Sequence, residues 1–272
     1  MNANQQALVD RWQSFLAKIH ERLAEICVEA EAGVRAIAAQ HPEDQMPVSN
    51  AITGLDHRVR QLRDKIQETW DAQVEDKFSA DPEIHDVGLD MKQDSEVLLD
   101  EKWSLAKAAW MSEIAREAFG RAMAAMEKPV PCSSCGAPLN LPTRIELVAA
   151  TCTHCGVVNQ AAPSMAIQYY FGWCVQNLAD AAALPHRHAV ERQRIVADRW
   201  RRDRNWAAEP VESLEEWERL ERRYWETVAH ERARLRNEPV DQKYIDSRMA
   251  YFYKYSLESN QQWVRAKGRH GG

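Results

Sequence analysis

Apolar residues that return every three or four positions over dozens of residues constrain this chain more than any other feature of it. From about residue 4 to 39, Leu8, Trp12, Phe15, Ile19, Leu23, Ile26, Ala30, Val34 and Ile37 form one stripe, because such steps track the 3.6-residue turn of an α-helix. His41-Pro42 and Met46-Pro47 close that helix, since a residue before proline is pushed out of the helical region. A second stripe, over about 50–79, runs through Ile52, Leu55, Val59, Leu62, Ile66, Trp70, Val74 and Phe78. Its opening resembles a coiled-coil seam before it drifts to steps of four. Asp81-Pro82-Glu83 reads as a helix cap. A break is expected near Gly88, and a third helix over about 95–127 with Leu98, Leu105, Ile114, Phe119, Met123 and Met126 inside.

Pro163-Ser164 opens a further apolar helix, which Pro185 is expected to end, and another is expected over about 187–207. Ser213-Leu-Glu-Glu216 is a capping box at the head of a helix reaching about residue 236. A last helix covers about 241–266 and carries Ile245, Met249, Phe252 and Trp263. With 45% apolar residues and only 10 Gly and 11 Pro in 272, the chain is neither disordered nor collagen-like. Long helices joined by short loops pack antiparallel, so the expected fold is mainly α: an elongated bundle of coiled-coil-like helices with a small β insertion. The organisation that follows is about three helices over 1–130, a β module over 131–162, and about four helices over 163–272.

The insertion contains Cys132-Ser-Ser-Cys135-Gly136 and Cys152-Thr-His-Cys155-Gly156. Two thiols on one tight turn can both reach a tetrahedral ion, and glycine tolerates the positive φ that turns backbone N–H groups toward sulfur. The spacing is that of a four-thiolate structural zinc site. Arg144–Val148 and Val157–Val158 have strand character, so a small sheet is expected between and after the pairs. Over residues 131–160 the sequence resembles the zinc-ribbon family. The resemblance implies that Cys132, Cys135, Cys152 and Cys155 bind one structural Zn²⁺. Zinc ribbons serve transcription, replication, translation and scaffolding alike, so the match leaves the role open. The rival reading is redox chemistry, but a thioredoxin-like pair follows a strand, opens a helix and does not recur with paired glycines. Four thiolates close the coordination shell, which leaves no position for catalysis. His154 reads as a spacer, and Cys27 and Cys174 fall on helices.

Charge divides unevenly: residues 1–131 carry 24 acidic and 15 basic side chains, while 185–272 carry 19 basic and 15 acidic. From Pro129 to Pro163 the charged side chains are Arg144 and Glu146, and no aromatic is present. Phosphate contacts need Lys or Arg and base stacking needs aromatic faces, so the β module is poorly equipped for nucleic acid. It offers instead Leu139, Leu141, Leu147, Val148, Val157 and Val158, an apolar surface for either its own helices or a protein partner. A nucleic-acid role would fall on the 187–204 segment through Arg187, Arg194, Arg201 and Arg202. Arg192 and Arg199 lie on nearly the opposite side of that helix, and Glu191, Asp198 and Asp203 dilute the charge.

Paired Glu-x-x-His helices, His-Glu-x-x-His, phosphate-cradling glycine loops and nucleophile elbows are all absent. No catalytic residue is assigned, and the chain is not expected to be an enzyme, although an accessory subunit of an enzyme complex is an alternative. Tyr251, Tyr253 and Tyr255 spread aromatic surface over more than half of the last helix, which makes them candidates for binding a protein partner or a second copy of the chain. The amino terminus lacks a basic segment followed by an apolar run, and Gln168, Gln176, Asn177 and Asp180 interrupt the stretch from Met165 to Leu184. No membrane span and a cytoplasmic location are therefore expected. The closing Gly271-Gly272 reads as part of a frayed tail. The function expected from the whole is a non-catalytic zinc-binding interaction, scaffold or adaptor protein. The alternative is a nucleic-acid-associated zinc-ribbon factor.

Overall fold

A computed structural model describes residues 1–203 and 211–257, and it is mainly helical. Helix α1, Ala3–Gln40, starts at Asn2, whose side chain accepts from the N–H groups of Asn4 and Gln5, both at 3.0 Å. Helix α2, Gln45–Thr69, starts at Asp44 and continues through a wide π-helical turn, Trp70–Val74, into the short α3, Glu75–Phe78. From α1 through α3 most of the two expected stripes is inside: Trp12, Ile19, Leu23, Ile26, Ala30, Val34, Leu55, Val59, Ile66, Trp70 and Phe78 are buried, and Ile52, Leu62 and Val74 are partly buried. Leu8, Phe15 and Ile37 sit at the edge of that core, and Val9, Leu16 and Ala38 take the deeper places.

Helix α4, Pro82–Glu127, departs from expectation at both of its marked features. It runs unbroken through Gly88. A Cβ there would lie 2.7 Å from Phe78 Cδ1 and 2.9 Å from Trp70 Cζ3, and the Trp12 indole N–H donates to the Gly88 carbonyl at 3.0 Å. The glycine serves close packing rather than a turn. The inward residues also differ: Leu98, Leu105 and Phe119 are 41, 56 and 46% exposed, while Leu99, Trp103, Trp110, Met111, Ala115, Ala118 and Ala122 are buried with Ile114. Helix α4 packs on α1 and α2 and also on the later helices. A helix with neighbours on several sides has no single stripe, so three-four spacing picks the wrong face.

After α4 come strands β1, Val148–Thr151, and β2, Val158–Ala161, an antiparallel pair in which Ala150 faces Asn159 and Thr151 faces Val158. The first strand lies further along the chain than expected, because Arg144 is used elsewhere. Its guanidinium donates to the Met126 and Ala125 carbonyls at the end of α4, groups that a helix terminus leaves unpaired. Helix α5, Met165–Gln168, begins after Ser164 as expected and passes through a π-helical turn, Tyr169–Cys174, into α6, Val175–Asp203.

Helix α6 contains Pro185 instead of ending there. A mid-helix proline costs about 3 kcal/mol, and burial of Ala179, Ala183, Leu184 and Ala197 along α6 opposes it. Helix α7, Val211–Arg236, likewise starts before the capping box, so Ser213 lies within it and accepts from Gln193 Nε2 of α6 at 3.0 Å. Helix α8, Gln242–Phe252, capped by Asp241, ends in a π-helical segment, Tyr253–Leu257. Trp263 and the terminal Gly-Gly lie outside the described residues. The largest core cluster joins α1, α2 and α4 to Ile167, Tyr169, Tyr170, Phe171, Cys174 and Val175. A smaller cluster, Leu214, Ala229, Ile245, Met249 and Phe252, ties α7 to α8.

Candidate metal centre

The two cysteine pairs arrive at one place because each sits on the same small turn. In the first, the Gly136 N–H donates to the Cys132 carbonyl at 3.0 Å and the Cys132 N–H donates to Ala137 at 2.7 Å. In the second, Gly156 donates to Cys152 at 3.0 Å and Cys152 donates to Val157 at 2.9 Å. Gly136 and Gly156 have φ of 75° and 73°, the left-handed region that the sequence reserved for glycine. Hydrogen bonds from Ser133 of the first turn to β2 then tie the two turns together.

All four ligand atoms, the Sγ of Cys132, Cys135, Cys152 and Cys155, lie within 4.8 Å of one another. The Cys132–Cys155 and Cys135–Cys152 sulfurs are 3.7 Å apart, far beyond the roughly 2.05 Å of a disulfide. All six cysteines are free thiols. Cys132 and Cys152 are buried, and Cys135 and Cys155 are exposed, so the cluster opens to solvent on one side. Four sulfurs at this separation could hold a metal ion.

Backbone dipoles prepare the inner pair for that. N–H groups of Cys135 and Ser134 aimed at Cys132 pull its thiol down to about 6, and those of Cys155 and His154 lower Cys152. The N–H of Ala137 pulls Cys135 the same way, but hydrogen bonds among the crowded sulfurs prevail and push it up to about 12. Four thiolates this close repel one another, and a cation between them would relieve that repulsion.

One polar residue of the site left no mark in the sequence analysis. Asn159 is 6% exposed in β2. Its Oδ1 accepts from the N–H and Oγ of Ser133, both at 2.8 Å, and its Nδ2 donates to Cys132 Sγ at 3.5 Å. Strand alternation, which sends 159 and 161 to the same face, was the available signal.

The other candidate residues do not converge. Arg202 lies 2.6 Å from Asp90 and 3.4 Å from Asp86 of α4. Arg194 pairs with Glu191 of its own helix at 3.2 Å; burial opposes the charge on Arg187, but Tyr224 of α7, Glu191 and Asp180 lie near enough to raise it above its ordinary value. The side chain of Arg201 lies outside the described residues. Arg192 grips Glu101 with two bonds of 2.7 Å, and Arg199 meets Asp94 at 2.7 Å and Asp90 at 3.0 Å. Much of this basic segment is thus engaged by the acidic face of α4. Tyr251 and Tyr255 are exposed, with ring centroids 4.5 Å apart and planes tilted by 43°, whereas the Tyr253 hydroxyl turns inward to donate to Glu218 and accept from Arg222 of α7. On the hairpin, Leu147 and Val158 are 63 and 65% exposed and Val157 is 39% exposed, while Leu139, Leu141 and Val148 are half-buried. Cys174 is inside the helical core, where burial pushes its thiol up to about 12.

Fold and site together define a mainly helical protein with a small two-stranded sheet and four clustered cysteines that could hold a metal ion. No family model, curated protein or solved structure matches the chain. Among the described residues no helix is long and apolar enough to cross a membrane.

Proposed function

We propose that the protein is a non-catalytic interaction or scaffold protein of zinc-ribbon type, in which Cys132, Cys135, Cys152 and Cys155 bind one structural Zn²⁺. The observation that carries the metal reading is the 3.7 Å separation of facing sulfurs. A tetrahedron with Zn–S bonds of about 2.3 Å has edges of about 3.8 Å. Thiolate donors in that shape select zinc over oxygen-seeking ions. Four sulfurs leave no open position for a substrate, which favours a structural role.

The interaction reading rests on the uncharged outer side of the hairpin, where Leu147, Val157 and Val158 face solvent. Exposed apolar surface on so small an element is suited to a protein partner. Metal analysis of protein purified without added metal tests the first part, with one zinc per chain expected; a metal-free, folded preparation overturns it. For the second part, partners captured by the wild type are compared with those captured by a Leu147→Asp, Val158→Asp double variant. A partner lost with the double substitution supports the reading, and an unchanged set rejects the hairpin as the interface.

A further inference from the structure

The two turns that carry the cysteines are alike in backbone, yet only the first has a side chain from elsewhere in the hairpin anchored to it. Asn159 sits at the centre of β2 and spends its whole carboxamide there. Oδ1 accepts twice from Ser133, and Nδ2 donates to Cys132 Sγ at 3.5 Å and to the Val157 carbonyl at 3.0 Å. Two donors and two lone pairs are the full capacity of the group. Among the described residues no side-chain amide reaches Cys152 in this way.

We propose that Asn159 is a positioning residue for the metal: its amide fixes the first cysteine turn against β2 and directs one N–H at the Cys132 sulfur that becomes a metal ligand. The proposal rests on the metal reading above. An N–H pointing at a thiolate stabilises the charge on sulfur and orients its lone pairs, which is how groups outside the ligand set tune a metal. The residue must be an amide for two reasons. A carboxylate of the same shape would keep both bonds from Ser133 but offer sulfur no proton. It would also add a negative charge beside four thiolates that a dication only half neutralises. An apolar residue would leave the Ser133 N–H without its partner.

Cobalt titration separates this role from a merely architectural one, because the sulfur-to-cobalt charge-transfer band reports the electron density of the thiolates. The wild type should take up one Co²⁺ with the spectrum of a tetrahedral thiolate site. In Asn159→Asp, cobalt affinity measured by chelator competition should fall by about 10–100-fold, and the charge-transfer band should move to lower energy as sulfur loses its hydrogen bond. Asn159→Ala removes the donor without adding charge, so it should shift the band in the same direction with a smaller loss of affinity. Ser133→Ala removes a bond from the same network but none to sulfur, and should leave the band in place.

Asn159 variants with wild-type band position and affinity overturn the proposal, as does a Ser133→Ala shift as large as theirs. If both Asn159 variants fail to take up cobalt while Ser133→Ala retains it, the proposal stands. A wild-type protein that binds no cobalt overturns the metal reading instead.

Discussion

Between α1, α2 and α4 the chain buries Trp12, Leu23, Val34, Ile66, Trp70, Leu99 and Trp110, whereas between residues 131 and 161 it buries Cys132, Ala150, Cys152, Asn159 and Ala161. Large apolar side chains contribute about 1.5–3 kcal/mol each when taken out of water, and the helical part collects many of them. The hairpin has none among its buried residues; its interior is sulfur, methyl groups and one amide. Conformational entropy must be offset in both regions. The first offsets it with packing, and on the zinc reading the second offsets it with metal bonds. Arg144 on the last carbonyls of α4 and Ile145 against the helical core join the two regions.

Metal removal should break this comparison most sharply. Structural zinc binding supplies on the order of 10 kcal/mol or more of folding energy. A chelator, or Cys152→Ser, should therefore bring amide exchange across 131–161 to the rate of an open chain while the far-UV helical signal persists. A collapse of the helical signal together with the hairpin would show that the two regions fold as one unit.

The converse perturbation is Gly88→Ala. The added methyl meets the buried rings of Phe78 and Trp70 at under 3 Å, and overpacking of this kind costs about 1–3 kcal/mol. Thermal unfolding of the helices should shift down while metal stoichiometry stays the same. Unchanged unfolding would mean that α4 can move away from α3 at no cost.

Arg192→Ala tests the electrostatic seam between α4 and α6. It leaves the Glu101 carboxylate, whose side chain is 10% exposed, without its paired guanidinium. Unpairing a buried acceptor costs about 1–3 kcal/mol. The lower end is expected, because Arg192 itself is 65% exposed and its bond is screened by water. Denaturant titration in low and high salt should show a loss that salt reduces.

The smallest effect is on pH dependence. Burial, with Lys102 adding to it, lowers His20 from its ordinary 6.5, and burial also lowers His188. Each therefore binds a proton more readily in the unfolded chain. Their contribution to helical stability is complete above pH 6.5 and is lost as the pH falls through their folded values. His20→Gln should flatten that slope. Asp180 and Glu221, raised by burial, act in the opposite sense at lower pH, so the variant rather than the wild-type curve isolates the histidine. Metal release in acid, followed separately by a zinc indicator, should keep its midpoint in His20→Gln; a midpoint that moves with the helices would couple the two regions.

Local repetition was sufficient for much of this molecule. The stripes of α1 and α2, the cap at Asp81, the helix start after Pro163-Ser164, and the two cysteine turns with their left-handed glycines are set by neighbours in sequence, through helical periodicity and the unique freedom of glycine. What local rules could not decide is which face of α4 is inward, whether Gly88 is a break or a point of contact, and whether Pro185 ends a helix. Each depends on which elements lie alongside, and packing against several partners outweighs the intrinsic preference of a single residue. The same holds at the metal centre. The cysteine spacing marks the four sulfurs as a set, but Asn159 joins them only because the first turn packs against β2, which lies 26 positions further along the chain. The pairing of Arg192, Arg199 and Arg202 with α4 likewise depends on α6 lying beside carboxylates about a hundred positions earlier in the chain.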